Sequence, residues 1–158
     1  MSVKTSKVRF DTWLMASLII LPLIVGTFTA IDYVNHGEIS ILSLIGALVS
    51  VAITWPIAFA SHWVEINEKE VRLRWAPIYR SSIDRASITD WSVSDEAVSP
   101  WKSGGIGLRL ASGGTLALVN RKGRILKLET SENRRYAITL ADDKEVAAVS
   151  RELSASVL

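Results

Sequence analysis

Between Arg9 and Lys69 the chain has no lysine or arginine, and this gap constrains the fold more than any other feature of its 158 residues. Two apolar runs lie inside it. The first, TWLMASLIILPLIVGTFTAIDYV at 12–34, carries a single charge, Asp32, near its end, and the second, ISILSLIGALVSVAITWPIAFA at 39–60, carries none. A hydrocarbon core of roughly 30 Å takes about 20 helical residues to cross, so either run is long enough to span it. A buried helix of a soluble protein would keep a polar face for water, and neither run has one. The link Asn35-His36-Gly37-Glu38 is short and polar, with a glycine free to take a positive φ, so an antiparallel transmembrane hairpin is expected.

Lys4, Lys7 and Arg9 resemble the positive region of a signal peptide. The apolar run behind them is too long for that, and Phe28-Thr29-Ala30 is a poor small-x-small cleavage site, so a retained anchor is expected. Basic residues near the ends of spans mark the cytoplasmic side. The arm at 1–11 has three, the 32–38 turn none, and Lys69, Arg72 and Arg74 follow the second run, so a multi-pass cell-membrane protein with both termini cytoplasmic is expected. Trp13, Tyr33, Trp55 and Trp63 fall towards the span ends, where amphipathic rings prefer the headgroup zone. Pro22 predicts a kink, and no acid or base lies deep in either span to suggest a transport path.

From residue 62 the pattern changes to period two, the mark of strands with one buried face. Val71-Arg72-Leu73-Arg74-Trp75 alternates without fault, and further strands are predicted at 62–67, 78–83, 88–94, 107–110, 115–120, 125–130 and 135–140. Turns are marked at 67–70, Ala76-Pro77, Ser112-Gly113-Gly114, Arg121-Lys122-Gly123 and Ser131-Glu132-Asn133. After Leu140 the spacing becomes helical: Asp142 or Asp143 supplies an N-cap, and Val146, Val149 and Leu153 share one face. The region 62–158 thus reads as one mainly β, α+β domain, an antiparallel meander closed by a C-terminal helix.

Particular stretches carry a family likeness: Val64-Glu65-Ile66 with Val71-Arg72-Leu73, then Arg80-Ser81-Ser82-Ile83-Asp84-Arg85-Ala86-Ser87-Ile88 and Gly104-Gly105-Ile106-Gly107-Leu108-Arg109. Leu126-Lys127-Leu128-Glu129-Thr130 and the 136–140 strand before Asp142-Asp143 complete it. On these residues the domain resembles the pleckstrin-homology-like (PH-like) domains of small bacterial membrane proteins, and the whole chain resembles an actinobacterial family of two-transmembrane-helix proteins. The resemblance implies a split or partly open β-barrel with a C-terminal capping helix, and no shared catalytic residues. Members of the wider fold bind phosphoinositides, peptides or proteins, or serve in assembly, and the fold alone does not choose among these.

For chemistry the sequence offers little. The domain holds fifteen basic residues against thirteen acidic ones, a balance that argues against nucleic acid. There is no cysteine, and His36 and His62 are the only imidazoles, so no metal, cofactor or catalytic set is expected and the chain does not read as an enzyme. The glycines of 104–107 are followed by a strand where a phosphate loop would need a helix. What remains is a set of contact candidates: Lys102, Arg109, Arg121, Lys122 and Arg124 as basic residues for an anionic lipid, and Trp91 and Trp101 as anchors or pocket walls. The expected function is a membrane-anchored interaction module whose domain binds a protein or peptide at the cytoplasmic leaflet. An anionic-lipid reader using the 121–124 loop is the first alternative. An accessory subunit that packs through Gly46, Ala47 and Ser50 is the second.

Overall fold

The computed structural model describes residues 2–155, and these form two compact units: residues 10–60, and residues 2–9 together with 61–155. In chain order the elements are β1 (Val3–Lys4), β2 (Val8–Arg9), α1 (Thr12–His36), α2 (Ile41–Ala58), β3 (Ser61–Ile66), β4 (Glu70–Ala76) and β5 (Tyr79–Asp84). There follow β6 (Ile88–Val93), β7 (Gly107–Ala111), β8 (Thr115–Val119), β9 (Ile125–Thr130), β10 (Arg135–Thr139) and α3 (Asp143–Ser154).

The first unit is the helical hairpin. Its helices are both long and apolar enough to cross a membrane, with mean hydropathies of 2.3 and 2.1. Gly37, at φ 73°, closes α1 by donating its N–H to the Tyr33 carbonyl. Six half-buried residues of α1, Leu14, Leu18, Pro22, Val25, Thr29 and Asp32, recur every three or four positions and so form one seam, with half-buried Met15 beside its first member. On α2 the matching seam is small and hydroxylic: Ser43, Ala47, Ser50 and Thr54. Ser43 Oγ donates to Asp32 Oδ2 at 3.4 Å, so the one charge of the first run faces its partner helix. The hydroxyls of Ser17, Thr27 and Thr54 each donate to the carbonyl four residues back, which satisfies them without water. Trp13, Tyr33 and Trp55 are exposed near the helix ends.

The second unit is the β-domain, in two five-stranded sheets. In one, the order is β1-β3-β4-β5, all antiparallel, with β2 also pairing on β3. Asn67 organises the β3–β4 turn: its side-chain Oδ1 accepts from the N–H groups of Lys69 (3.0 Å) and Glu70 (2.8 Å). In the other sheet the order is β6-β9-β10-β8-β7. Here the expected antiparallel meander is wrong, because β10 inserts between β8 and β9 and runs parallel to β8. The physical reason shows in burial. Ala117, Leu118 and Val119 are all buried, as suits a parallel strand covered on both faces and unlike the one-sided strands of a meander.

Residues 2–9 are likewise not a separate arm, as the sequence suggests, but part of the β-domain. Thr5 and Val64 share two hydrogen bonds, each 2.9 Å: Thr5 N–H donates to the Val64 carbonyl, and Thr5 Oγ1 accepts from Val64 N–H. Arg9 pairs with Ser61 in the ladder, so the hairpin departs from and returns to adjacent positions of one sheet.

α3 begins in a capping box: Asp142 Oδ1 accepts from Glu145 N at 2.9 Å, and Glu145 Oε2 accepts from Ala141 N at 2.8 Å. Glu145 Oε1 also receives both the N–H and the hydroxyl of Ser6, tying the chain's start to the helix. Val149 and Leu153 are buried in the core, as the helical spacing requires. The last turn is held by Arg85, whose guanidinium is 6% exposed. It donates to the carbonyls of Asn67 and Glu152 and pairs with the Glu152 carboxylate at 3.3 Å.

Candidate functional site

The contact candidates from the sequence do not converge on one place. Arg109, on β7, turns its guanidinium onto the 99–105 loop, donating to the carbonyl and hydroxyl of Ser103 beside Gly104 and Gly105. Both glycines have positive φ, 95° and 128°, which a side chain would strain. Their role is to fold this loop over an arginine, and Arg109 is occupied in organising it. Lys102 and Trp101 lie exposed on that loop, while Trp91 is half-buried on β6.

The 121–124 loop is less basic in space than in sequence. Arg121 Nη2 donates to the Ala141 carbonyl at 3.3 Å and Arg124 Nε pairs with Asp143 at 3.0 Å. Lys122 and Arg124 share one surface hollow with Asp95, Glu96, Asp142 and Asp143. Four carboxylates thus stand beside these two cations. Gly123 has a packing role, because a Cβ there would come within 2.6 Å of the Leu140 carbonyl oxygen.

Sequence reasoning passed over a different feature, on the second sheet. One ladder rung carries Leu128, Tyr136, Leu116 and Leu110 in a row from β9 to β7. Leu128 is 2% exposed, Tyr136 6%, Leu116 half-buried and Leu110 76%. The apolar face of the sheet thus runs on past its own cover. β7, at the end of the sheet order, has a ladder partner on one side only. An uncovered edge with an apolar side chain on its inner face is a ready template for another chain. Leu108 and Leu110, two apart on one strand, were a period-two signal that could have drawn attention to it.

Where the sheets meet there is a buried polar cluster. Asn120 Nδ2 donates to the Val8 carbonyl (3.0 Å) and its Oδ1 accepts from Trp75 Nε1 (3.1 Å). His62, fully buried, has Nε2 2.7 Å from the Thr139 carbonyl. A carbonyl only accepts, so Nε2 carries the proton and Nδ1 is bare, with no partner among the described residues. Burial holds the imidazole below its ordinary value, against the opposing pull of the Thr139 carbonyl. The folded domain therefore keeps His62 neutral while the unfolded chain takes a proton below about pH 6.5. Stability is full above that value and declines as pH falls through it. Urea midpoints of the solubilised chain, taken from neutral to mildly acidic pH, are expected to show this decline, and His62→Gln is expected to flatten it.

Among the described residues, no group of three or more His, Cys, Asp or Glu is placed to hold a metal ion. The geometry thus defines a class: a helical hairpin, apolar enough to span a membrane, bearing a two-sheet β-domain with a C-terminal helix. The chain matches no protein-family model and no curated protein sequence.

Proposed function

We propose that the protein is a membrane-anchored interaction module: the hairpin fixes a PH-like domain at the cytoplasmic leaflet, and the domain binds a protein partner along β7. The observation that carries this reading is Leu110, exposed on the inner face of an edge strand whose second side has no ladder partner among the described residues. A partner segment that adds to this edge would gain backbone hydrogen bonds along the strand and cover the leucine, the usual economy of strand addition. Burying that side chain is worth about 1.5–3 kcal/mol. Tethering both molecules to one membrane raises their effective concentration, so a modest surface suffices. Two sheets followed by a terminal helix support the PH-like assignment; the parallel β8–β10 pair, the β6–β9 pairing and the added β1 and β2 depart from the expected order. The cytoplasmic side rests on the positive arm and the uncharged-to-acidic 32–38 turn.

A photo-crosslinking residue placed at Leu110 in the full-length chain, in native membranes, is expected to capture one polypeptide. The same residue at Ser131, in the exposed turn before β10, is expected to capture none, and Leu110→Asp is expected to lower partner recovery about tenfold. Equal capture from both positions, or from neither, would remove the reading.

A further inference from the structure

We propose that the open edge of β5 is a self-association site, pairing antiparallel with β5 of a second copy of this chain about a two-fold axis at Ser82. β5 ends the first sheet, with β4 as its one ladder partner among the described residues. Two bonds at the strand ends set the phase of the ladder. Asn67 N–H donates to the Glu70 carbonyl (3.0 Å) and Arg85 N–H to the Lys69 carbonyl (2.9 Å). Even-numbered residues of β4 therefore bond towards β3 and odd-numbered ones towards β5, where Ile83, Ser81 and Tyr79 answer them. Arg80, Ser82 and Asp84 are left with their backbone N–H and carbonyl groups turned to the open side. Among the described residues the Asp84 carbonyl alone of these has a partner, the Ser87 hydroxyl at 2.7 Å, and a carbonyl keeps a second lone pair.

Charge selects the occupant. The side chains of Arg80, Ser82 and Asp84 are all exposed on the outer face. Within the chain Arg80 stands opposite Arg74 and Asp84 opposite Glu70, like against like, a relation that destabilises a sheet. Arg74 has its ion pair with Glu65 and Glu70 with Arg72, while neither Arg80 nor Asp84 has one among the described residues. A two-fold axis at Ser82 sets Arg80 of each copy opposite Asp84 of the other and Ser82 opposite itself, so each unmatched charge meets its opposite. The same axis brings the three outward-bonding positions together as hydrogen-bonded pairs along the strand. Backbone phase and side-chain charge thus choose one register. A different polypeptide would need an acid and a base at this spacing in reverse order, a pattern that β5 itself supplies. The ends of the second sheet do not: Asp90 is the one charge on β6 and Arg109 the one on β7, so self-pairing there brings no opposite charge.

This inference does not rest on a partner at β7. The chain has no cysteine, so a disulfide formed by one introduced thiol reports a second copy. The test is copper-phenanthroline oxidation of the full-length chain in isolated membranes. Ser82→Cys is expected to give a covalent dimer, because opposed residues of a hydrogen-bonded pair have Cα atoms about 5.5 Å apart, within disulfide range. Arg80→Cys and Asp84→Cys, each offset from its own counterpart by roughly 13 Å at about 3.3 Å per residue, are expected to give little. Added to Ser82→Cys, Arg80→Glu is expected to lower the yield about tenfold, Arg80→Lys to keep most of it and Leu110→Asp to leave it unchanged. Ser82 donates to Glu70, so the cysteine-free chain is measured as well. Light scattering in mild detergent is expected to give twice the chain mass, falling to the single mass in Arg80→Glu with an unchanged melting profile. A single mass for the parent chain, no disulfide from Ser82→Cys, equal yields from the three cysteines, or a yield that falls with Leu110→Asp and ignores Arg80→Glu would overturn the proposal.

Discussion

Arg85→Met is expected to cost the β-domain about 3–5 kcal/mol, the loss usual when one member of a buried ion pair is removed. The guanidinium, 6% exposed, faces a Glu152 carboxylate that is 13% exposed. Its removal strands that carboxylate and two carbonyl oxygens, those of Asn67 and Glu152, in a site water barely reaches. The lost bonds also link three parts of the domain: the β3–β4 turn, the short turn at Arg85–Ser87 and the end of α3. Urea unfolding of the detergent-solubilised chain, followed by tryptophan emission, should show the midpoint fall, and amides of α3 should exchange faster than those of β9. Glu152→Gln keeps an acceptor for Arg85 and is expected to cost less. An Arg85→Met midpoint equal to that of the parent chain would mean that the pair contributes nothing to holding the helix.

A charge placed at the middle of α2 is expected to have a comparable effect on insertion. Leu48 is 62% exposed on the hairpin, away from the seam with α1. If that surface faces lipid, Leu48→Arg places a guanidinium near the bilayer centre at a cost of about 2.5–3.5 kcal/mol, or roughly a hundredfold in the insertion equilibrium. The fraction of chain resisting alkaline carbonate extraction should fall sharply. Leu48→Phe should leave it unchanged. Full resistance in the arginine variant would show that this face of α2 does not meet hydrocarbon.

The hairpin and most strands were legible in the sequence because both rest on local patterns. Length and apolarity define the spans, and alternation defines β4, where Val71, Leu73 and Trp75 are buried as their spacing requires. The helix ends were less legible. Apolarity runs on through Ile39 and Ser40, yet α2 starts at Ile41, since a hydrocarbon-compatible residue need not be helical. Strand order was invisible, because period two assigns faces and says nothing of neighbours. One clue was present: the unbroken Leu116-Ala117-Leu118-Val119 run suits a strand covered on both faces. The arm was missed for a related reason. Strands of two residues, such as Val3–Lys4 and Val8–Arg9, are too short for any period to register.

The candidate site was legible in kind and not in place. Basic residues were sought in the loop with the densest positive sequence, 121–124, whose charge the distant Asp95, Glu96 and Asp143 offset on folding. Arg80 and Asp84 look like ordinary outward charges until the sheet order leaves β5 with a ladder partner on one side only among the described residues. Leu110 read as one more alternating residue, because only the sheet order shows that, among the described residues, no strand pairs with the far side of β7.

The central claim is that two spans carry the β-domain back to the side from which they start, with the 35–38 turn across the membrane. The chain has no cysteine, so single introduced thiols can be labelled without background. The direct test is reaction of Glu38→Cys and Ser131→Cys with a membrane-impermeant maleimide, in intact cells and after permeabilisation. The account requires Glu38→Cys to react in intact cells and Ser131→Cys only once the membrane is opened. Labelling of both from the same side would contradict it.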